Sequence, residues 1–165
     1  MLLSAILVKI TSSGPLIFKQ ERVGLHNEKF MMYKFRSMEV QSKESEKKAW
    51  TVKNDPRVTG IGKLMRRTSI DELPQLFNIL KGDMALVGPR PALWNQYDLL
   101  VEREQYGANS VRPGLTGWAQ INGRDELEIP VKARLDGEYV KKMGPLMDIR
   151  CFIGTVFSVL RSDGV

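Results

Sequence analysis

The sequence predicts a mixed α/β (α+β) domain, a small antiparallel hairpin or sheet surrounded by several helices. Three observations carry that expectation. Two short β-prone runs, residues 16–18 and 30–35, flank a loop at residues 24–29 and read as a hairpin. Apolar residues then recur at helical spacing, first Ile61, Leu64 and Met65, then Leu73, Leu76, Phe77 and Leu80. Residues 146–160 form a strongly apolar stretch whose only charges are Asp148 and Arg150. No G-x-G-x-x-G fingerprint follows a strand, so a dinucleotide-binding unit is not expected.

Along the chain, Ser12 to Pro15 is a turn signal ahead of the hairpin. Residues 38–53 crowd Glu44, Glu46, Lys47 and Lys48 together and read as an exposed helix or mobile loop without chemistry. Residues 54–60 form a turn, and the two periodic segments after it predict helices meeting near residues 68–71. Residues 82–91 (GDMALVGPRP) read as a loop, a short apolar run and a second loop. A helix is expected over residues 93–106. The turn-rich residues 112–124 (RPGLTGWAQINGR) predict an ordered loop, and residues 131–142 a moderate helix.

With 165 residues and 42% hydrophobic content, the chain can bury one core as a single domain. One cysteine, Cys151, excludes an internal disulfide framework. One histidine, His26, leaves no Cys/His metal cluster and reads as a loop residue. Any metal is then a hard ion such as magnesium, held by carboxylates and substrate oxygens. The net charge of +6 predicts an acidic partner: nucleic acid, an anionic membrane surface or a phosphorylated small molecule. Residues 1–10 (MLLSAILVKI) are apolar except for Ser4 and Lys9, about half the ~20 residues a spanning helix needs. They lack the basic start and cleavage pattern of a signal peptide.

The chemistry concentrates in residues 66–80 (RRTSIDELPQLFNIL). Ser69 and Glu72 have capping-box spacing, while Pro74 belongs in a helix's first turn. A cap at Asp71, or a short turn from Ser69 running into it, best reconciles the two. Either start places Asp71 and Glu72 at a helix N-terminus, where the dipole favours an ionised carboxylate suited to act as nucleophile or magnesium ligand. Arg66 and Arg67, about a turn earlier, can neutralise a phosphate. The plainer alternative is an acidic cap with two solvated arginines.

Arg90 in GPRP, Arg112 in RPG and Arg124 in NGR sit in stiff settings that suit a phosphate clamp, or pair with local carboxylates and carbonyls. Trp118 and Gln120 could hold a base or sugar, although a tryptophan in a tight loop is more often a packing anchor. Asp136 and Tyr139 share a helical face.

Three runs, YKFRSM (33–38), RRTSIDELPQLFNILKGDMALVGPRP (66–91) and VRPGLTGWAQINGR (111–124), resemble the bacterial sugar transferases. These are the monotopic phosphoglycosyl transferases, or polyprenyl-phosphate glycosylphosphotransferases. The likeness extends over residues 14–160. It implies a ping-pong reaction: Asp71 attacks the sugar-linked phosphate of a UDP-sugar, UMP leaves, and a polyprenyl phosphate takes the phosphosugar. It also implies Glu72 as dyad partner, handling protons or shaping the site, and Mg2+ at Asp71. Arg66, Arg90, Arg112 and Arg124 fall at phosphate-contacting positions, with Arg36, Gln120, Asn122 and Asp136 as further substrate-binding candidates.

The resemblance further implies a membrane enzyme on the cytoplasmic face of the inner membrane, some helices lying in the membrane plane, acting at the first membrane step of glycoconjugate assembly. Family members carry a longer hydrophobic helix, broken in the middle, that enters and leaves one face of the membrane. Residues 1–10 resemble its second half, so residues 1–13 read as a membrane-helix remnant and residues 14–165 as one catalytic domain. Nucleic acid is not an expected partner, because the arginines lie in separate Gly/Pro loops rather than among exposed aromatics. The alternatives are a chain that binds nucleotide-sugar without turnover and, less favoured, a basic nucleic-acid-binding module. No motif specifies the sugar or the oligomeric state.

Overall fold

The computed structural model describes residues 14–39, 55–123 and 126–160. The expected membrane-helix remnant, most of the charged segment 38–53, and Arg124 lie outside them.

The hairpin is present. β1 (Ile17–Val23) pairs antiparallel with β2 (Lys29–Phe35), in register from Ile17↔Phe35 to Val23↔Lys29. The turn closes with Gly24 N donating to Glu28 O at 2.8 Å, and His26 and Asn27 adopt positive φ of 52° and 63°. His26 is therefore a loop residue. β1 runs well past its apolar start, through Lys19 to Arg22. It is the central strand of a three-stranded sheet ordered β2-β1-β4, where β4 is Ala92–Leu93. Pairing with β2 along its length, and with β4 at Arg22 and Val23, holds this polar stretch extended, and the Arg22 side chain bonds Gln20 Oε1 and the Pro91 carbonyl.

A second, parallel pair joins β3 (Ala85–Val87) to β5 (Gly114–Thr116). Backbone packs on backbone here: a Cβ at Gly114 would collide with Gly88 N, which donates to Thr116 O at 2.8 Å. The turn formers of the two arginine loops thus serve this close approach.

The helices are α1 (Gly60–Arg67), α2 (Gln75–Lys81), α3 (Tyr97–Glu104), α4 (Trp118–Ile121), α5 (Ile129–Lys142) and α6 (Pro145–Leu160). Thr59 caps α1 by accepting from Gly62 N at 2.9 Å, and Gly82, at φ 85°, ends α2. Three buried clusters fix the arrangement. Phe35 and Met65 seat α1 on the hairpin. Val23, Ala92, Leu99 and Ala133 join sheet, α3 and α5. Tyr139, Met147 and Cys151, with Trp118 against them, join α5 and α6.

Two expectations are corrected. Leu93 does not begin a helix; it pairs with Arg22 along the open edge of β1, and α3 starts only at Tyr97. Residues 112–124 are more regular than a loop, since they contain β5 and α4.

Candidate active site

Between α1 and α2 the chain reverses through Ser69, which takes the left-handed conformation at φ 55°. An N-cap residue needs extended backbone to present its oxygen to the next turn. Ser69 lacks it and makes no capping bond, so the capping box does not form. Ile70–Glu72 is a single 3-10 turn, and α2 begins after Pro74. The cap expected at Asp71 is likewise not made, because Pro74 occupies the N-cap position.

The turn delivers two adjacent carboxylates into different environments. Glu72 Oε1 accepts from Lys34 Nζ at 2.8 Å and from Arg90 Nη2 at 3.1 Å. Burial would raise the Glu72 pKa, but these two cations outweigh it and hold the carboxyl well below the usual carboxylate range. Asp71 is 7% exposed, and among the described residues none donates a hydrogen bond to it or pairs with it. Lys34, Arg66 and Arg90 act on it only through space. Burial pushes its carboxyl up, Lys34 pulls it down, and Glu72 pushes it up again, with a net rise. Desolvation is thus the largest influence on the Asp71 carboxyl, ahead of the pull of the nearby cations.

Three cations surround the pair. Lys34, on β2, is buried enough that desolvation lowers its pKa. Arg66, at the end of α1, donates from Nε to Ser37 Oγ at 2.9 Å. Arg90 reaches Glu72 from the loop after β3. With both carboxylates ionised, the cluster keeps one positive charge in excess.

The sequence matches a known family. The family model for bacterial sugar transferases covers residues 1–162. The chain belongs to the bacterial sugar transferase family. It is 44% identical over 158 residues to the sugar transferase EpsL of Bacillus subtilis, covering 96% of this chain and 76% of that protein. It is 40% identical to the undecaprenyl-phosphate galactose phosphotransferase of Salmonella typhimurium, covering 94% of this chain. It is 44% identical to the UDP-glucose:undecaprenyl-phosphate glucose-1-phosphate transferase of Escherichia coli, covering 93% of this chain. The match spans only 36% and 34% of the lengths of the latter two.

In this sugar transferase none of the other candidate residues bonds Asp71 or Glu72 among the described residues, although Gln120 lines the same cleft as Glu72. Arg112 is exposed, and its Nε donates to the Gly82 carbonyl at 2.9 Å, at the far end of α2. Arg36 is buried just after β2, its backbone N–H donating to Leu16 O at 3.1 Å. Gln120 is buried, with Nε2 donating to Leu115 O at 3.0 Å. Asn122 is exposed and bonds the Trp118 carbonyl at 2.8 Å. Trp118 is an anchor whose Nε1 donates to Glu138. Asp136 forms an enclosed pair with Arg103, Nη2 to Oδ2 at 2.6 Å, and Arg103 also donates to the Arg90 carbonyl at 3.0 Å. Asp136 thus supports the Arg90 loop from behind.

Sequence reading missed Lys34 and Arg103. Lys34 lies two residues before Arg36 in the same run, and strand alternation could have flagged it. Arg103 looks like an ordinary helix-surface charge, since its partner is 33 residues away in sequence.

Proposed function

We propose that this protein transfers a phosphosugar from a UDP-sugar to a polyprenyl phosphate, releasing UMP. The names of the Salmonella and Escherichia coli relatives support the substrate classes. The observation that carries the reading is the split between the two carboxylates: Glu72 is tied down by Lys34 and Arg90, while Asp71 accepts no hydrogen bond from any described residue.

A carboxylate without hydrogen-bond donors keeps its lone pairs available and is poorly solvated, which suits a nucleophile. Asp71 Oδ attacks the sugar-bearing phosphorus of the diphosphate, the bond from phosphorus to the UMP oxygen breaks, and UMP departs as an anion. The acceptor's phosphate oxygen then attacks the same phosphorus, and the Asp71 carboxylate is regained. Neither displacement requires a proton. Glu72, held deprotonated by two cations, is a poor acid and serves instead to position Lys34 and Arg90. The surrounding guanidinium and ammonium groups offset the charge of the transferring group.

Among the described residues, no three potential metal ligands cluster. Asp71 offers one carboxylate bonded to no described residue, a donor that fits magnesium, which takes few protein ligands and completes its shell with phosphate oxygens and water. When bound there, Mg2+ would supply charge neutralisation to the diphosphate.

Among the described residues no helix is long and apolar enough to cross a membrane. α6, however, leaves Ile149, Phe152, Ile153, Val156, Phe157 and Leu160 exposed at helical spacing. This apolar stripe suits a helix lying in the membrane plane at the cytoplasmic face of the inner membrane, with residues 14–165 as the catalytic domain. The reaction would begin assembly of a bacterial glycoconjugate, such as an exopolysaccharide. The test is a UDP-sugar panel assayed with undecaprenyl phosphate and magnesium. UMP release and a lipid-linked sugar are expected, both lost on chelation; neither product from any donor would refute the reading.

A further inference from the structure

A cleft of about 130 Å³ opens beside the dyad turn. It runs between that turn, the β3–β5 pair and α6, and its lining includes Glu72, Leu86, Leu115, Ile121 and Phe152. Three of its polar side chains, Thr116, Thr155 and Gln120, bond within the protein, and Ser69, Glu72 and Ser158 are the other polar members of the lining. The hydroxyls of Thr116 and Thr155 bond each other, and Thr155 also donates to the Cys151 carbonyl. Gln120 Nε2 donates to Leu115 O, and its Oε1 is sealed from solvent. The wall offered to a ligand, formed largely by Leu86, Leu115, Ile121 and Phe152, is mainly hydrocarbon, a poor match for a hydroxyl-rich sugar ring.

Phe152 belongs both to this lining and to the exposed stripe of α6. Phe152 thus links the exposed stripe of α6 to the cleft, whose lining also includes Glu72, where Lys34 and Arg90 converge. Only an amphiphile with an anionic head and a hydrocarbon tail matches both ends.

We propose that this cleft holds the first isoprenyl units of the acceptor, guiding its phosphate head to the Lys34–Arg90 side of the dyad. The inference rests on the functional reading above and adds which surface takes the lipid. The donor's sugar would then lie elsewhere around the cations.

The experiment uses the full chain in detergent micelles, so that vesicle adsorption does not enter. KM is measured separately for undecaprenyl phosphate and for the preferred UDP-sugar. Phe152→Ser and Leu86→Ser, one on each side of the cleft, are compared with Phe157→Ser, which lies on the same stripe but outside the lining. Thermal melts confirm that each variant is folded. The two cleft variants are expected to raise the lipid KM about tenfold and leave the UDP-sugar KM within about twofold. Phe157→Ser should leave both within about twofold. A raised UDP-sugar KM with an unmoved lipid KM would overturn the proposal in favour of a sugar pocket. Equal effects of all three variants on the lipid would overturn it in favour of general adsorption. Failure of the wild type to release UMP from any UDP-sugar would instead remove the functional reading beneath it.

Discussion

Glu72 accepts a 2.8 Å hydrogen bond from Lys34, and its sequence neighbour Asp71 accepts none from any described residue. The left-handed Ser69 and the 3-10 turn after it aim the two carboxylates differently. Environments that push neighbouring carboxyl groups apart are a sign of divided chemical roles. Here one group is locked as an anion, and the other is desolvated and bonded to no described residue.

That division predicts opposite thermal responses. The Asp71 pKa is raised, so its contribution to stability is full below the unfolded value and is lost as pH rises through the folded one. At pH 7.5 Asp71→Asn should leave the melting temperature unchanged or higher, while turnover falls at least about a thousandfold. The Glu72 pKa is depressed, so its contribution is full above about pH 4.3 and fades as pH falls below it. Glu72→Gln should cost about 2–3 kcal/mol and lower the melting temperature by about 5–10 °C at pH 7.5, with a smaller gap at pH 4. Calorimetry of both variants across this range checks the signs.

How much of this site was legible in the sequence differs by residue. Asp71, Glu72, Arg66 and Arg90 were found because they lie in two dense, nearly contiguous runs, and the structure brings all four together. The hairpin and α6 were readable from local pattern alone. β4 was not, since Ala92–Leu93 is extended only because β1 offers it an edge. The capping box failed for a related reason: spacing fits Ser69 to Glu72, but the chain reversal imposes a left-handed residue there. Local propensity carries no information about such tertiary demands.

The pH profile of activity provides an independent check. Asp71 must be ionised to attack, and burial raises its pKa against the pull of Lys34, Arg66 and Arg90 and with the push of Glu72. The acid limb of kcat/KM for the UDP-sugar should therefore fall above the ordinary aspartate value of about 3.9. Lys34→Met should move that limb higher still, and by more than Arg66→Met, because Lys34 exerts the larger pull. A limb that stays fixed in both variants would assign it to another group.

Asp136 and Arg103 have side chains 1% and 4% exposed, and the pair braces the Arg90 carbonyl. Asp136→Asn strands the Arg103 charge and should cost about 3–5 kcal/mol. Arg103→Met with Asp136→Leu removes both charges and should recover most of that loss, giving a large coupling in a double-mutant cycle. Urea denaturation of the four proteins measures it. If Asp136 served mainly as a substrate ligand, the single variant would raise KM and leave stability near wild type.

The central claim is that the Asp71 carboxylate carries the phosphosugar covalently between its two displacements. The most direct measurement is acid quench of the enzyme mixed with a UDP-sugar labelled in the sugar, in the absence of acceptor, followed by peptide mapping. The account predicts label on the peptide containing Asp71, none on Asp71→Asn, and its discharge when polyprenyl phosphate is added. Lipid-linked product formed by a wild-type enzyme that never becomes labelled, with UMP released only when both substrates are present, would contradict it.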